Sequence, residues 1–185
     1  MKKWFLVLTL TLSVAMVAAC GNKETDNSSS NKQDISLEEI FTQTKNAIAE
    51  DLKADGMDEP IVDGKLMSYF EVDLMAAENP ERDVYLEKLG IKEEQLKAGY
   101  VIAAMMSVNS DEIILLEAKD ETEVASLKTA LEKELAAQTQ TWEQYLPDQF
   151  EKVKNNIIKT NGNFLIYITY DYPEKIAEIF NAQTK

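Results

Sequence analysis

Two apolar runs constrain this chain more than any other feature. Tyr100 to Met106 (YVIAAMM) and Glu112 to Ala118 (EIILLEA) carry few polar side chains, and Ser107-Val108-Asn109-Ser110 between them has turn chemistry. A strand with one wet face alternates apolar and polar residues, whereas a continuous run belongs to a strand buried on both faces. The spacing predicts an antiparallel hairpin buried on most of both faces.

The rest of the chain supplies elements to cover it. Ser36-Leu37-Glu38-Glu39 has the pattern of a capping box, and Leu37, Ile40, Phe41, Thr44, Ile48 and Leu52 recur at helical spacing, so residues 36–53 are predicted as a helix. Asp55-Gly56 and Asp63-Gly64 mark turns, and Lys65 to Leu74 leaves room for a short strand. Asn79-Pro80 starts a helix that runs to Leu89 and stops at Gly90, and residues 91–97 read as one more helical turn. Asp120, with Glu123 three residues on, caps a long helix over 121–146, with Val124, Leu127, Leu131, Leu135, Gln138, Trp142 and Tyr145 on one stripe. Pro147 ends it. A second hairpin is predicted from residues 156–160 and 163–170 around Asn161-Gly162, as a type I′ turn with positive φ at both residues. Pro173 opens a last helix with Ile176, Ile179 and Phe180 inward. This order predicts an α+β fold: a single antiparallel sheet of about four strands, in two hairpins, with helices packed on one face.

Ahead of the domain, Met1-Lys2-Lys3 is a positive n-region, and Trp4 to Ala19 (WFLVLTLTLSVAMVAA) is 16 residues without a charge. A bilayer span takes about 20 residues, so residues 1–19 read as a signal peptide. Val17-Ala18-Ala19-Cys20 resembles the lipobox of bacterial lipoproteins: an aliphatic residue, two small ones, then the cysteine whose thiol accepts the lipid. The competing reading is an uncleaved helix with an incidental cysteine. It leaves unexplained why the chain's one cysteine stands where lipidation needs it. Two acyl chains, palmitate among them, make a stable anchor. Gly21 to Gln33 (GNKETDNSSSNKQ) is polar and reads as a tether, so the expected organisation is signal peptide 1–19, lipidated Cys20 and tether 20–34, and one domain over 35–185. Gly21 after Cys20, with the acidic charge and scarce arginine, points to a Gram-positive cell membrane and its extracytoplasmic side.

The charge balance decides which partners are excluded. The chain has 33 Asp and Glu against 19 Lys and Arg, and one arginine, Arg82. Without the leader, which carries Lys2 and Lys3 and no acid, 17 cations face 33 acids, a net charge of −16. Such a surface repels nucleic acid and anionic headgroups, so membrane contact is expected through the anchor alone. There is no histidine. Ser-His-Asp and Cys-His nucleophilic sites, His/Cys zinc sites and internal disulfides are therefore impossible. No cofactor or resident metal is expected, and chemistry is left to carboxylates, Lys, Tyr and hydroxyls.

Several groups remain as candidates. Tyr145-Leu146-Pro147-Asp148-Gln149 is either a recognition loop or a helix stop in which Pro147 terminates and Asp148 caps the following turn, and the stop is favoured. Asp55, Asp58, Glu59 and Asp63 lack EF-hand spacing and read as a solvated loop rather than a Ca²⁺ site. Asp111-Glu112 and Asp120-Glu121 read as a turn pair and a helix-start pair. A glycoside-cleaving carboxylate pair needs a fixed separation across a cleft, which no spacing here suggests. Met57, Met67, Met75, Met105 and Met106 read as core filling rather than copper ligands. Of Phe164, Tyr167, Tyr170 and Tyr172, Phe164 is expected to pack against helices, whereas Tyr170 and Tyr172 stay open as exposed contacts, with Tyr145, Asp148 and Gln149.

The Met-rich strand and turn at Tyr100 to Asp111, followed by Glu112 to Lys119 and a long helix, resemble a bacterial lipoprotein family catalogued as domain of unknown function 4358. Tyr145 to Gln149 and Lys159 to Asn163 are further marks, and the resemblance covers residues 37–181. It implies a lipid-anchored protein of Gram-positive bacteria and brings no functional residues with it. The resulting expectation is a surface-tethered, non-enzymatic binding module for an envelope protein, glycan or small ligand. The alternative is a carboxylate-dependent hydrolase acting on cell-wall or other glycans, and a third reading is weak capture of cations by the acidic surface.

Overall fold

The computed structural model describes residues 36–185. The signal peptide, lipobox, Cys20 and tether expected from the sequence lie outside the described residues.

The chain runs through α1 (Leu37–Ala54), the short strands β1 (Ile61–Val62) and β2 (Lys65–Leu66), β3 (Tyr69–Asp73), α2 (Pro80–Leu89), a 3₁₀ turn (Glu93–Gln95), β4 (Leu96–Ala104) and β5 (Glu112–Ala118). It continues through α3 (Val124–Tyr145), α4 (Pro147–Lys154), β6 (Ile157–Asn161), β7 (Phe164–Thr169) and α5 (Pro173–Gln183). Local chemistry explains several boundaries. Asn79 caps α2 by accepting the Glu81 N–H, Pro80 occupies the first turn, and Gly90 closes the helix in the left-handed region at φ 64°.

The fold is α+β, but the expected single sheet of about four strands is wrong. A five-stranded antiparallel sheet runs in the order β3-β4-β5-β7-β6, and β1 and β2 form a separate two-stranded sheet. The fifth strand of the main sheet is β3, inside the 65–74 stretch, pairing Tyr69 with Ala104 and Asp73 with Tyr100. Its five residues are too few for a clear periodicity of their own; the partner strand defines it.

The helices do not pack on one face either. Along β5, Ile113 and Leu115 enter a core with Leu37, Ile40 and Ile48 of α1 and Ile176 and Phe180 of α5. Ile114 and Leu116 enter the opposite core with Leu86 and Leu89 of α2 and Leu127 and Leu131 of α3. The sheet is the middle of three layers, and every residue of β5 is buried. This is why the two apolar runs lack alternation: helices cover both sides.

Smaller differences follow from pairing. Leu96 and Lys97 belong to β4 rather than to a helical turn, because Leu96 pairs with Ala118. Pro147 does end the long helix, but it also opens α4 instead of a capped turn. In the second hairpin Asn161 pairs with Phe164, so the loop is Gly162-Asn163, with positive φ at Gly162 (55°) and not at Asn161. Positive φ at the first central residue alone is the type II′ pattern, one residue later than expected.

Candidate functional site

The β4–β5 connection ends the sheet where β3 begins and β7 leaves. Ala104 pairs with Tyr69, and Glu112 with Thr169. Met105 N–H donates to Ser68 O (2.9 Å), which ties the connection to the start of β3. The α3–α4 junction reaches the same end, since Gln149 Oε1 accepts from Ser110 N (2.9 Å) and Ser110 Oγ (3.0 Å). Segments far apart in sequence therefore meet over one end of the sheet.

A buried polar cluster holds that end. Asp111 is 4% exposed. Its Oδ1 accepts from Lys152 Nζ (2.6 Å), and its Oδ2 accepts from Tyr69 Oη (2.6 Å) and Asn109 Nδ2 (3.0 Å). Lys152 also donates to Asp171 Oδ2 (3.0 Å), just past β7. Burial pulls the Lys152 ammonium down, but Asp111 and Asp171 outweigh it and raise it above the ordinary lysine value. Burial pushes the Tyr69 phenol far up, and neighbouring Asp111 adds to it.

The adjacent residue builds a second cluster on the other face. Glu112 Oε1 accepts from Lys88 Nζ of α2 (2.6 Å), and the same ammonium lies 3.0 Å from Glu134 Oε1 of α3. Gln138 Nε2 donates to Glu134 Oε1 (2.6 Å), and Trp142 Nε1 donates to Gln138 Oε1 (2.8 Å). Glu112 Oε2 is buried without a partner. Burial, then repulsion from Glu134, pushes the Glu112 carboxyl up to about 7 against the pull of Lys88. Burial draws Lys88 down, but the two carboxylates override it and hold it at about 12. A cleft of about 560 Å³ between α2 and α3 is lined by Lys88 and Glu134. Lys88 stands between the two acids, so as arranged the pair holds a cation rather than an open site.

Exposed apolar side chains gather on the segments around the first cluster. Nine large apolar side chains are exposed among the described residues, and seven lie on the segments that meet at this end: Met67, Phe70, Met105, Met106, Val108, Tyr145 and Tyr172. Met67, Met105 and Met106 are thus not core filling. β4 ends at Ala104, whose N–H donates to Asp111 O, and the next two methionines leave the sheet for solvent.

The residues singled out in the sequence divide clearly. Tyr145 is exposed, with its ring tilted against Trp142 at 5.7 Å. Asp148 is exposed, and the amide of Gln149, donating at 3.0 Å, holds its carboxyl below the usual range. Gln149 is the brace to Ser110 described above. Tyr170 is not exposed: it is buried, and its hydroxyl donates to Asp51 Oδ2 (3.1 Å), tying β7 to α1. Tyr172 is exposed and sits edge-on to Tyr170 at 6.2 Å. Phe164 packs against the α1/α5 core, and Tyr167 is buried on the other face. Asp55, Asp58, Glu59 and Asp63 are exposed, and among the described residues no group of three or more acidic, histidine or cysteine side chains converges on a metal position. Asp120 receives the N–H of Thr122 in the turn ahead of α3 and does not cap the helix, whose N-cap position is Glu123 with no side-chain cap. Asp111 and Glu112 are not merely a turn pair but the centres of two buried clusters. Their partners Tyr69, Lys88, Glu134 and Lys152 lie 22 to 42 residues away, and no local spacing signals them.

A family model described as a domain of unknown function, DUF4358, matches residues 71–170. That is more than half of the chain, and the chain belongs to this family. No curated protein and no solved structure matches it. Among the described residues no helix is long and apolar enough to cross a membrane.

Proposed function

We propose that this member of the domain of unknown function 4358 family is a lipid-anchored binding module of the cell envelope, not an enzyme, with the loop end of its sheet as the contact face. The observation that carries the reading is the concentration of exposed apolar side chains there, seven of nine among the described residues, above a braced polar cluster. Contiguous exposed apolar surface marks interaction sites, and a rigid base lowers the entropy lost on binding. The signal-peptide pattern, the lipobox and Cys20 support the anchor, and the polar residues after Cys20 support a spacer between domain and membrane.

A photo-cross-linking residue at Met106, with one at Val84 on α2 as control, tests the contact face in native envelopes. A discrete adduct is expected at position 106 and not at 84; equal or absent adducts at both positions would remove the assignment. Replacing Cys20 with alanine should abolish acyl labelling and release the protein from the membrane fraction.

A further inference from the structure

One edge of the main sheet has the chemistry of an acceptor for another strand. Among the described residues β3 pairs with β4 on one side and with nothing in the main sheet on the other. The ladder fixes which groups face outward. Ser68 O accepts from Met105 N–H and Leu74 N–H donates to Gly99 O, both at 2.9 Å. In an antiparallel pair, hydrogen bonding to one neighbour alternates along the strand. Phe70 and Val72 therefore bond β4, and the backbone groups of Tyr69 and Glu71 and the N–H of Asp73 point away from the sheet, while Asp73 O accepts from Ala76 N–H (3.3 Å).

A groove of about 490 Å³ follows this edge, lined by the consecutive residues Tyr69 to Val72. Consecutive strand residues point to opposite faces, so a groove that touches all of them lies along the edge rather than over one face. Exposed Phe70 and Met105 provide apolar walls. Glu78 and Glu81, before and within the first turn of α2, line the far side with no ion-pair partner among the described residues, and Lys65 is the one cation on the rim.

We infer that β3 accepts an extended segment of a partner protein as an additional antiparallel or parallel strand, and that this segment alternates apolar side chains with lysine or arginine. Main-chain hydrogen bonds to Tyr69, Glu71 and Asp73 give the affinity, and the apolar wall and free carboxylates select the side chains. A second copy of this chain is disfavoured, because pairing β3 with itself brings the carboxylates of Glu78 and Glu81 on each molecule near the same acidic edge of the other, on molecules that already carry excess acid; Glu71 is neutralised by Lys45 (2.7 Å). The inference rests on the binding-module reading and names its partner class.

The test uses the full chain, isotope-labelled, and a pool of nine-residue peptides alternating valine or leucine with lysine. Binding peptides should shift the backbone amides of Tyr69, Glu71 and Asp73 above all others. N-methylating alternate peptide amides in one phase should weaken binding at least tenfold, and in the other phase should leave it within about twofold. The paired substitution Glu78→Lys with Glu81→Lys should weaken binding about tenfold at low salt without changing the urea midpoint. Shifts absent from β3, or equal losses in both methylation phases, overturn the strand-addition inference. If the adduct at position 106 persists in an Asp73→Pro, Glu78→Lys, Glu81→Lys variant that keeps its urea midpoint, the binding module stands and the β3 assignment falls. Loss of that adduct supports both.

Discussion

Asp111 and Glu112 are neighbours in the chain, both buried to 4% exposure, and each meets a lysine at 2.6 Å. They nevertheless sit in opposite situations. Asp111 accepts three donors spread over both oxygens, so its charge is balanced and its lone pairs are used. Glu112 shares one lysine with a second buried acid and leaves Oε2 without a donor. The first cluster saturates its carboxylate with donors, and the second leaves a carboxyl that burial and Glu134 raise towards protonation. A buried carboxylate is stable only as far as its partners saturate it.

The largest effect expected from breaking this comparison is Lys88→Met. It leaves Glu112 and Glu134 facing each other without a cation and should destabilise the fold by about 3 kcal/mol at pH 8, with a smaller loss at pH 5, where Glu112 is protonated. Urea denaturation at the two pH values measures both.

The next effect concerns pH. Glu112 titrates near 7 when folded and near 4.5 when unfolded, so the native state holds an extra proton between these values. Stability is then greatest below pH 4.5 as far as this group is concerned, falls as pH rises to about 7, and is flat above. Glu112→Gln, whose amide can donate towards Glu134 and whose carbonyl can accept from Lys88, should remove that slope, worth on the order of 2 kcal/mol. A wild-type slope that survives in the glutamine variant would locate the titration elsewhere.

On the Asp111 side, Tyr69→Phe removes one donor and leaves Asn109 and Lys152 in place. A loss of about 1.5 kcal/mol is expected, with no new pH dependence between 5 and 8, read from thermal unfolding across that range. The smallest effect is Gln149→Ala. It frees the Ser110 N–H and should speed hydrogen exchange at that amide with a global change of about 1 kcal/mol or less.

Much of the layout was legible beforehand. The helices at 36–53 and 121–146, the start of α2 at Asn79-Pro80 and both hairpins follow from periodicity and turn residues, and they appear with shifts of up to four residues, although neither Ser36 nor Asp120 caps its helix with a side-chain bond. The misses share a cause. The short strand expected within 65–74 is there, but its place as fifth strand of the main sheet needs β4 to define it, and helices on both faces are decided by packing that no single helix pattern records. Met105 and Met106 look like strand interior until the bond from Ala104 N–H to Asp111 O ends the ladder. Tyr170 looks free until Asp51, 119 residues away, accepts a hydrogen bond from its hydroxyl.

The sequence by itself determined what chemistry is open to this protein. With no histidine and one cysteine, histidine-dependent nucleophilic triads, His/Cys zinc sites and internal disulfides were closed. Those conclusions depend on which atoms exist, and no fold can change them. Only the tertiary structure decided which of 33 acids matter and where the apolar surface collects. Burial and pairing depend on contacts between residues remote in the chain: Lys88 of α2 reaches Glu112 and Lys152 of α4 reaches Asp111, and no local pattern records either meeting.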